Sequence, residues 1–219
     1  PGWELKFFDD SKNFRNYQLK LIKNYINGRI AEIGPGNGAN LVSYLFKPKT
    51  IDLYEPSKKL YLGLRKKFKK QKKLKFINRK FSPIKNKYNS ILYLDVLEHI
   101  KEDREELLKA FLSIKKGGFL IINVPAFPHL YSNFDKDVGH YKRYLQSDFK
   151  EIFKNINYDF CKMYYYDSVG YFLSLMSKIF IGNYKKNFEK KIRFWDSCIF
   201  ISKILDKILL NKCGKSLLV

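Results

Sequence analysis

The sequence predicts a doubly wound α/β fold, a mostly parallel seven-stranded sheet with helices on both faces. Three observations carry that expectation. Short apolar runs alternate with helical periods from residue 28 to residue 124, which is the rhythm of strand–helix–strand units in a parallel sheet. The stretch Arg29-Ile30-Ala31-Glu32-Ile33-Gly34-Pro35-Gly36-Asn37-Gly38-Ala39-Asn40 reads as a buried strand that enters a glycine-rich turn and then a helix. Glu55 ends the next strand, 21 residues after Gly34, where a carboxylate can accept both hydroxyls of a ribose. Strand, glycines, helix, strand and acid together point to an adenosine-containing ligand.

The elements follow in order. Residues 1–27 form a helical lead-in, with Trp3, Leu5, Phe7 and Phe8 ahead of a helix from Ser11 to Asn27 that Ser11 is placed to cap. Its apolar positions Phe14, Tyr17, Leu21, Ile22, Tyr25 and Ile26 recur at helical spacing. Residues 28–166 form a cofactor-binding core. Its first strand ends in the glycine turn, Leu41–Phe46 is a crossover helix, and Thr50–Tyr54 is the second strand. Ser57–Lys73 is a helix whose buried face is Leu60, Leu64 and Phe68; strands follow at Leu74–Asn78 and Tyr88–Leu94. A helix over Glu102–Lys115 then precedes a Gly117-Gly118 turn and a central strand over Phe119–Val124. A loop from Pro125 to Tyr144, dense in Asp, His, Tyr and Arg, leaves the C-terminal end of that strand, the ligand side of such a sheet. Leu145–Asn155 returns to helix and Asp159–Tyr166 is the sixth strand. Residues 167–213 break the rhythm with two apolar helical runs, one through Val169, Phe172, Met176, Phe180 and Ile181 and one over Trp195–Leu210, read as a lid inserted before a last strand at residues 214–219.

Composition bounds the rest. Lys+Arg 43 against Asp+Glu 21 gives a net charge of +22, which invites a nucleic-acid or membrane partner. The excess is mostly lysine, with seven Arg, and lysine is the poorer choice for bidentate phosphate contacts. Residues 58–80 hold twelve basic residues and no acid. Aromatic residues do not interleave with them as a base-stacking platform requires, so nucleic acid is not the favoured partner. Cys161, Cys198 and Cys213 form no metal-binding spacing, so no metal is expected, and free thiols fit a reducing cytoplasm. No uncharged apolar run reaches transmembrane length. The expected location is the cytoplasm, with the helical runs of residues 168–210 offering peripheral membrane contact.

Glu32-Ile33-Gly34-Pro35-Gly36-Asn37-Gly38, Glu55, Asp95-Val96-Leu97-Glu98-His99 and Gly117-Gly118 ahead of a strand resemble class I S-adenosylmethionine-dependent methyltransferases, which share a Rossmann-like sheet. Asp137-Val138-Gly139-His140-Tyr141-Lys142-Arg143-Tyr144 and the ending Gly214-Lys215-Ser216-Leu217-Leu218-Val219 look like a bacterial and archaeal subgroup linked to glycan or glycolipid assembly. The spacing Gly34-x-Gly36-x-Gly38, led by Glu32, differs from the GxGxxG of dehydrogenases and favours S-adenosylmethionine over NAD. The resemblance implies a cofactor site of Glu32, Gly34, Pro35, Gly36, Gly38, Asn40, Glu55, Pro56, Phe81, Ser82, Asp95, Val96 and Leu97. Glu32 stands near the cofactor amino group or orients the turn, and Glu55 binds the ribose. The acid that the family often places after the third strand is absent from Arg79-Lys80-Phe81-Ser82, which leaves Phe81 or Ser82 to meet the adenine.

The expected reaction is methyl transfer to a hydroxyl of a small-molecule, sugar or lipid-linked glycan acceptor, with RNA or protein methylation through the basic surface as the alternative. A hydroxyl must lose its proton, and an imidazole titrates near neutral pH. His140 is the candidate base, with Asp137 and Tyr141 beside it in the catalytic set, and Tyr131, Arg143 and Tyr144 are candidates to hold the acceptor. The competing reading pairs Arg143 with Asp137 to pin the loop, with His140 merely capping it.

Overall fold

The computed structural model describes residues 4–9, 11–179 and 187–219; Trp3, Phe180 and Ile181 lie outside them. A seven-stranded sheet has the order β3-β2-β1-β4-β5-β7-β6, built from β1 (Arg29–Ile33), β2 (Thr50–Tyr54), β3 (Leu74–Ile77), β4 (Tyr88–Leu94), β5 (Ile114–Pro125), β6 (Tyr164–Tyr166) and β7 (Ser216–Leu218). Strands β1–β4 pair in parallel, and β7 runs antiparallel to β5 and β6. This is the mostly parallel, Rossmann-like sheet that the alternation predicts. The helices are α1 (Leu5–Phe8), α2 (Lys12–Ile22), α3 (Leu41–Tyr44), α4 (Lys58–Lys67), α5 (Asp103–Ser113), α6 (Asn133–Val138), α7 (Gln146–Phe153), α8 (Ser168–Ile179), α9 (Phe188–Ser197) and α10 (Ile199–Ile208).

The chain divides into two compact units. In the unit of residues 18–122, β1 lies between β2 and β4, in register Ala31 with Asp52 and Ile91. Ile30, Ile51, Leu53, Ile91 and Leu92 are buried there. Such strands read as unbroken apolar runs because helices cover both faces. Beneath them Asp52 is buried and held by Arg29 Nη2 at 3.0 Å, Lys87 Nζ at 2.8 Å and the Tyr88 hydroxyl at 2.8 Å. Ser57 caps α4 by accepting from the Leu60 N–H, and Leu64 is that helix's buried contact. Helix α5 opens with Asp103, Glu105 and Glu106, which suits its positive end. It stops at Ser113. Lys115 to Gly118, expected as helix end and turn, instead belong to the beginning of β5, with Lys115, Lys116 and Gly117 exposed.

The unit of residues 1–17 and 123–219 is tied together by buried acids. Ser11 was placed to cap α2, but the Asp196 carboxylate takes the N–H groups of Asn13 and Phe14 at 3.2 and 2.9 Å, and Ser11 Oγ is buried without a partner. Asp206 accepts from the Tyr17 hydroxyl, from the N–H groups of Asp167 and Ser168, and from the Ser168 hydroxyl. Asp167 accepts from Trp195 Nε1 and Ser202 Oγ, both at 2.8 Å. The helical insert is thereby anchored to the end of β6, and its second run is two helices, α9 and α10, that meet at Cys198.

Candidate functional site

Within residues 18–122 the site grows from the end of β1. The Gly34 N–H donates to the Tyr54 carbonyl at 2.9 Å, which turns the chain toward β2. Gly34 and Gly38 sit at φ +61° and +76°, where an L side chain is strained. A Cβ on Gly34 would stand 2.8 Å from the Val96 side chain, and one on Gly38 would stand 2.5 Å from the Phe68 ring and 2.8 Å from Leu64. The glycines thus seat the turn against its own protein neighbours. Pro35 is buried in the turn, and Asn40 precedes α3.

Two buried carboxylates face this turn from β1 and β2. Glu55 Oε2 accepts from the Gly36 N–H at 3.1 Å, and its Oε1 accepts from the Ser57 N–H at 2.9 Å. Burial raises the Glu55 pKa, against the pull of those two N–H donors. Glu32 is pushed up to about 7 by burial, with the Tyr44 hydroxyl opposing the rise and the Glu55 charge adding to it. Tyr44 is near enough to act on Glu32 yet outside ordinary hydrogen-bond geometry: its hydroxyl and Glu32 Oε2 are both buried without a partner. An orphaned acid oxygen of this kind is costly unless a ligand completes it. A cationic ligand carrying hydroxyls fits the pair, with Glu32 toward the positive charge and Glu55 toward the hydroxyls.

The remaining cofactor candidates divide. Asp95, at φ +59°, and Val96 follow β4 at the same end of the sheet as the turn, with Asp95 exposed and Leu97 buried. Pro56 is exposed and Ser82 half-buried. Phe81 is not available for adenine, because its buried ring packs edge-on against Tyr54 at 5.1 Å and tilts against Tyr88.

Within the other unit, the segment from Phe127 to Tyr144 is organised by Asp135, a residue absent from the expected set. Asp135 is fully buried and accepts from Arg143 Nε at 2.9 Å and Nη2 at 3.0 Å, and from the Ser132 N–H and hydroxyl. His140 Nδ1 lies 2.8 Å from its Oδ1. Burial alone would raise the Asp135 pKa, but the hydrogen bond from His140 and the charge and hydrogen bonds of Arg143 outweigh it and hold the carboxyl at about 2. An anionic Asp135 favours the His140 tautomer that carries its proton on Nδ1. The pinning pair is therefore Arg143–Asp135, and Asp137 lies exposed on α6. The signal was in the sequence, since Ser132-x-x-Asp135 has the spacing by which a side chain closes a helix start.

The acceptor candidates fare unevenly. Arg143 is buried, and its guanidinium is given to Asp135 and the Ala126 carbonyl. Tyr144 is fully buried, stacked on Phe149, with its backbone bridged to Pro125 and Phe127. Neither side chain is presented to an acceptor. Tyr131 donates its hydroxyl to the His140 carbonyl at 2.7 Å and so braces the loop. Tyr141 is exposed.

A family model described as a methyltransferase domain matches residues 11–162, more than half of the chain. No curated protein matches it. Among solved structures, a Bacillus halodurans protein described as a methyltransferase aligns with TM-score 0.60 and 13% identity over 68% of this chain and 70% of its own. An S-adenosylmethionine-dependent methyltransferase from Aquifex aeolicus aligns with TM-score 0.58 and 13% identity over 75% of this chain and 92% of its own. A phosphoethanolamine N-methyltransferase from Haemonchus contortus, in complex with phosphomonomethylethanolamine and S-adenosylhomocysteine, aligns with TM-score 0.60 and 15% identity over 93% of this chain; the chain spans 51% of that protein. At these identities the likeness is one of fold.

Proposed function

Since the chain belongs to the S-adenosylmethionine-dependent methyltransferases, we propose that it methylates a hydroxyl of a small-molecule, sugar or lipid-linked glycan acceptor, with His140 as the general base. The observation that carries this reading is the His140–Asp135 pair, because a buried acid held ionised orients an imidazole by one nitrogen, the arrangement of a general base.

When bound, S-adenosylmethionine supplies a methyl group activated by a sulfonium. The acceptor oxygen would take the methyl as the carbon–sulfur bond broke, leaving S-adenosylhomocysteine. Glu55 would accept the ribose hydroxyls, Glu32 would meet the α-ammonium, and the glycine turn would hold the methionine part. His140 would take the acceptor hydroxyl proton, and Asp135 would stabilise the imidazolium that results. Arg143 keeps Asp135 anionic and in place, acting as a positioning residue.

The test is transfer of labelled methyl from S-adenosylmethionine into separated lipids, glycans and RNA, repeated with His140→Ala and Asp135→Asn. Label in the lipid or glycan fraction is expected. His140→Ala is expected to lower kcat by about 10²- to 10⁴-fold and to leave S-adenosylhomocysteine affinity unchanged. Asp135→Asn is expected to lower kcat and to displace the acidic limb of its pH profile. Label in RNA alone, or full kcat in His140→Ala, would overturn the proposal.

A further inference from the structure

Helix α10 is apolar on its outer side as well as at its buried start. Its inward side carries Ile199, Ser202 and Asp206, all buried, the last two bound into the network around Asp167 and Ser168. Its outward side carries Phe200, Ile204 and Ile208, one residue per helical turn, at 62%, 57% and 68% exposure. A surface helix ordinarily carries polar residues on that side. Three large apolar side chains in a row on the outside of an anchored helix leave most of their surface exposed, and such a contiguous row marks a surface that something covers.

The flanking charges say what. Lys203 and Lys207 each stand three residues after a member of the apolar row and form the adjacent stripe. Lys207 is exposed; Lys203 is half-buried, with its ammonium 5.5 Å from the Tyr17 ring. An apolar row bordered by lysines, in a chain of net charge +22, is the arrangement of a helix lying in the plane of an anionic lipid surface. There the apolar side enters the acyl boundary and the lysines reach the headgroups. A second copy of the chain is a poorer occupant, since a two-fold contact would set this lysine stripe and the whole +22 against their like. Among the described residues no helix is long and apolar enough to cross a membrane, so the contact is peripheral.

We propose that the outward face of α10 docks the enzyme on anionic membrane through Phe200, Ile204 and Ile208, with the exposed Lys207 at the headgroups. The proposal does not depend on the acceptor or on the general base.

The experiment is co-sedimentation with phosphatidylcholine vesicles, with and without phosphatidylglycerol. Binding is expected to the anionic vesicles and to fall as salt rises. The triple variant Phe200→Ser, Ile204→Ser, Ile208→Ser is expected to bind at least a hundredfold more weakly. The single variant Lys207→Ala is expected to bind roughly fivefold more weakly. S-adenosylhomocysteine affinity, which reports a folded cofactor unit, should be unchanged in both. Phe200→Trp supplies a reading that needs no disruptive change: its emission should shift to the blue on anionic vesicles and be quenched by brominated lipid. The proposal is overturned if the wild-type chain stays in the supernatant, if the triple variant binds like wild type, if Phe200→Trp is not quenched, or if the face proves to hold a dimer that the triple variant splits.

Discussion

Glu32→Gln separates what the cofactor site costs the fold from what it gives the ligand. Burial, with Glu55 adding and Tyr44 opposing, raises this carboxyl from 4.5 to about 7. A folded-state pKa above the unfolded value means that the Glu32 contribution to stability is whole below pH 4.5 and is lost as pH rises through 7. Keeping it ionised at pH 8 therefore costs about 3 kcal/mol, the difference 7 − 4.5 taken at about 1.4 kcal/mol per unit. Glutamine cannot ionise, and a buried amide with an incomplete set of partners costs about 1 kcal/mol. The variant without ligand is thus expected to be more stable than wild type by about 2 kcal/mol at pH 8, with the gain vanishing near pH 5. Ligand binding should move the other way. Loss of a charged contact to the α-ammonium weakens S-adenosylhomocysteine binding by about 2–3 kcal/mol, or roughly 30- to 150-fold. In the wild type, binding should release protons at pH 7, because the ligand's cation favours the ionised acid, and affinity should climb as pH rises through 7. Urea unfolding at pH 5 and pH 8 measures the first effect, and calorimetry in buffers of different ionisation enthalpy measures the second. Equal ligand affinity in wild type and variant, or no stability gain at pH 8, would refute the role given to Glu32.

Two further outcomes follow from the same turn. Glu55→Gln keeps the shape but sets an NH₂ against either the Gly36 or the Ser57 N–H, since each carboxylate oxygen already serves one of them; S-adenosylhomocysteine affinity should fall by roughly thirtyfold or more in calorimetry. Gly38→Ala places a Cβ 2.5 Å from the Phe68 ring at φ +76°, and should destabilise the chain by about 2–5 kcal/mol in a urea titration; an unchanged midpoint would show that α4 yields freely.

Much of the sheet was legible because the inner parallel strands are covered on both faces. β1, β2 and β4 read as apolar runs closed by Gly34, Glu55 and Asp95, and their observed limits lie close to the expected ones. The start of β5 was hidden for the same reason reversed: Lys115, Lys116 and Gly117 are exposed, so nothing apolar marks them as strand. The break at Cys198 is invisible to periodicity because the residues on either side of it favour helix. The glycines and Glu55 were read from spacing because the strand-turn-helix-strand order brings them to one turn, and Glu32 from the family resemblance. Asp135 was marked only by its helix-start spacing after Ser132, which does not reveal that Arg143 and His140 meet upon it.

The acids of this basic chain distinguish scaffold from site. Asp52 and Asp135 are buried, and burial alone would raise both. Lys87, Tyr88 and Arg29 hold the first below its ordinary value, and His140 and Arg143 hold the second at about 2. Each is complete within the protein, and removing one partner would strand the other. Glu32 is buried as deeply and goes the opposite way, up to about 7, with one oxygen unserved and a second acid adding to the rise. With 43 basic residues in the chain, a shortage of cations does not explain why none is placed there. A lysine beside Glu32 would stabilise the fold and fill the place of the ligand's positive charge. An acid left short of partners at the glycine turn is what the proposed role of Glu32 rests on: a cationic cofactor would complete it.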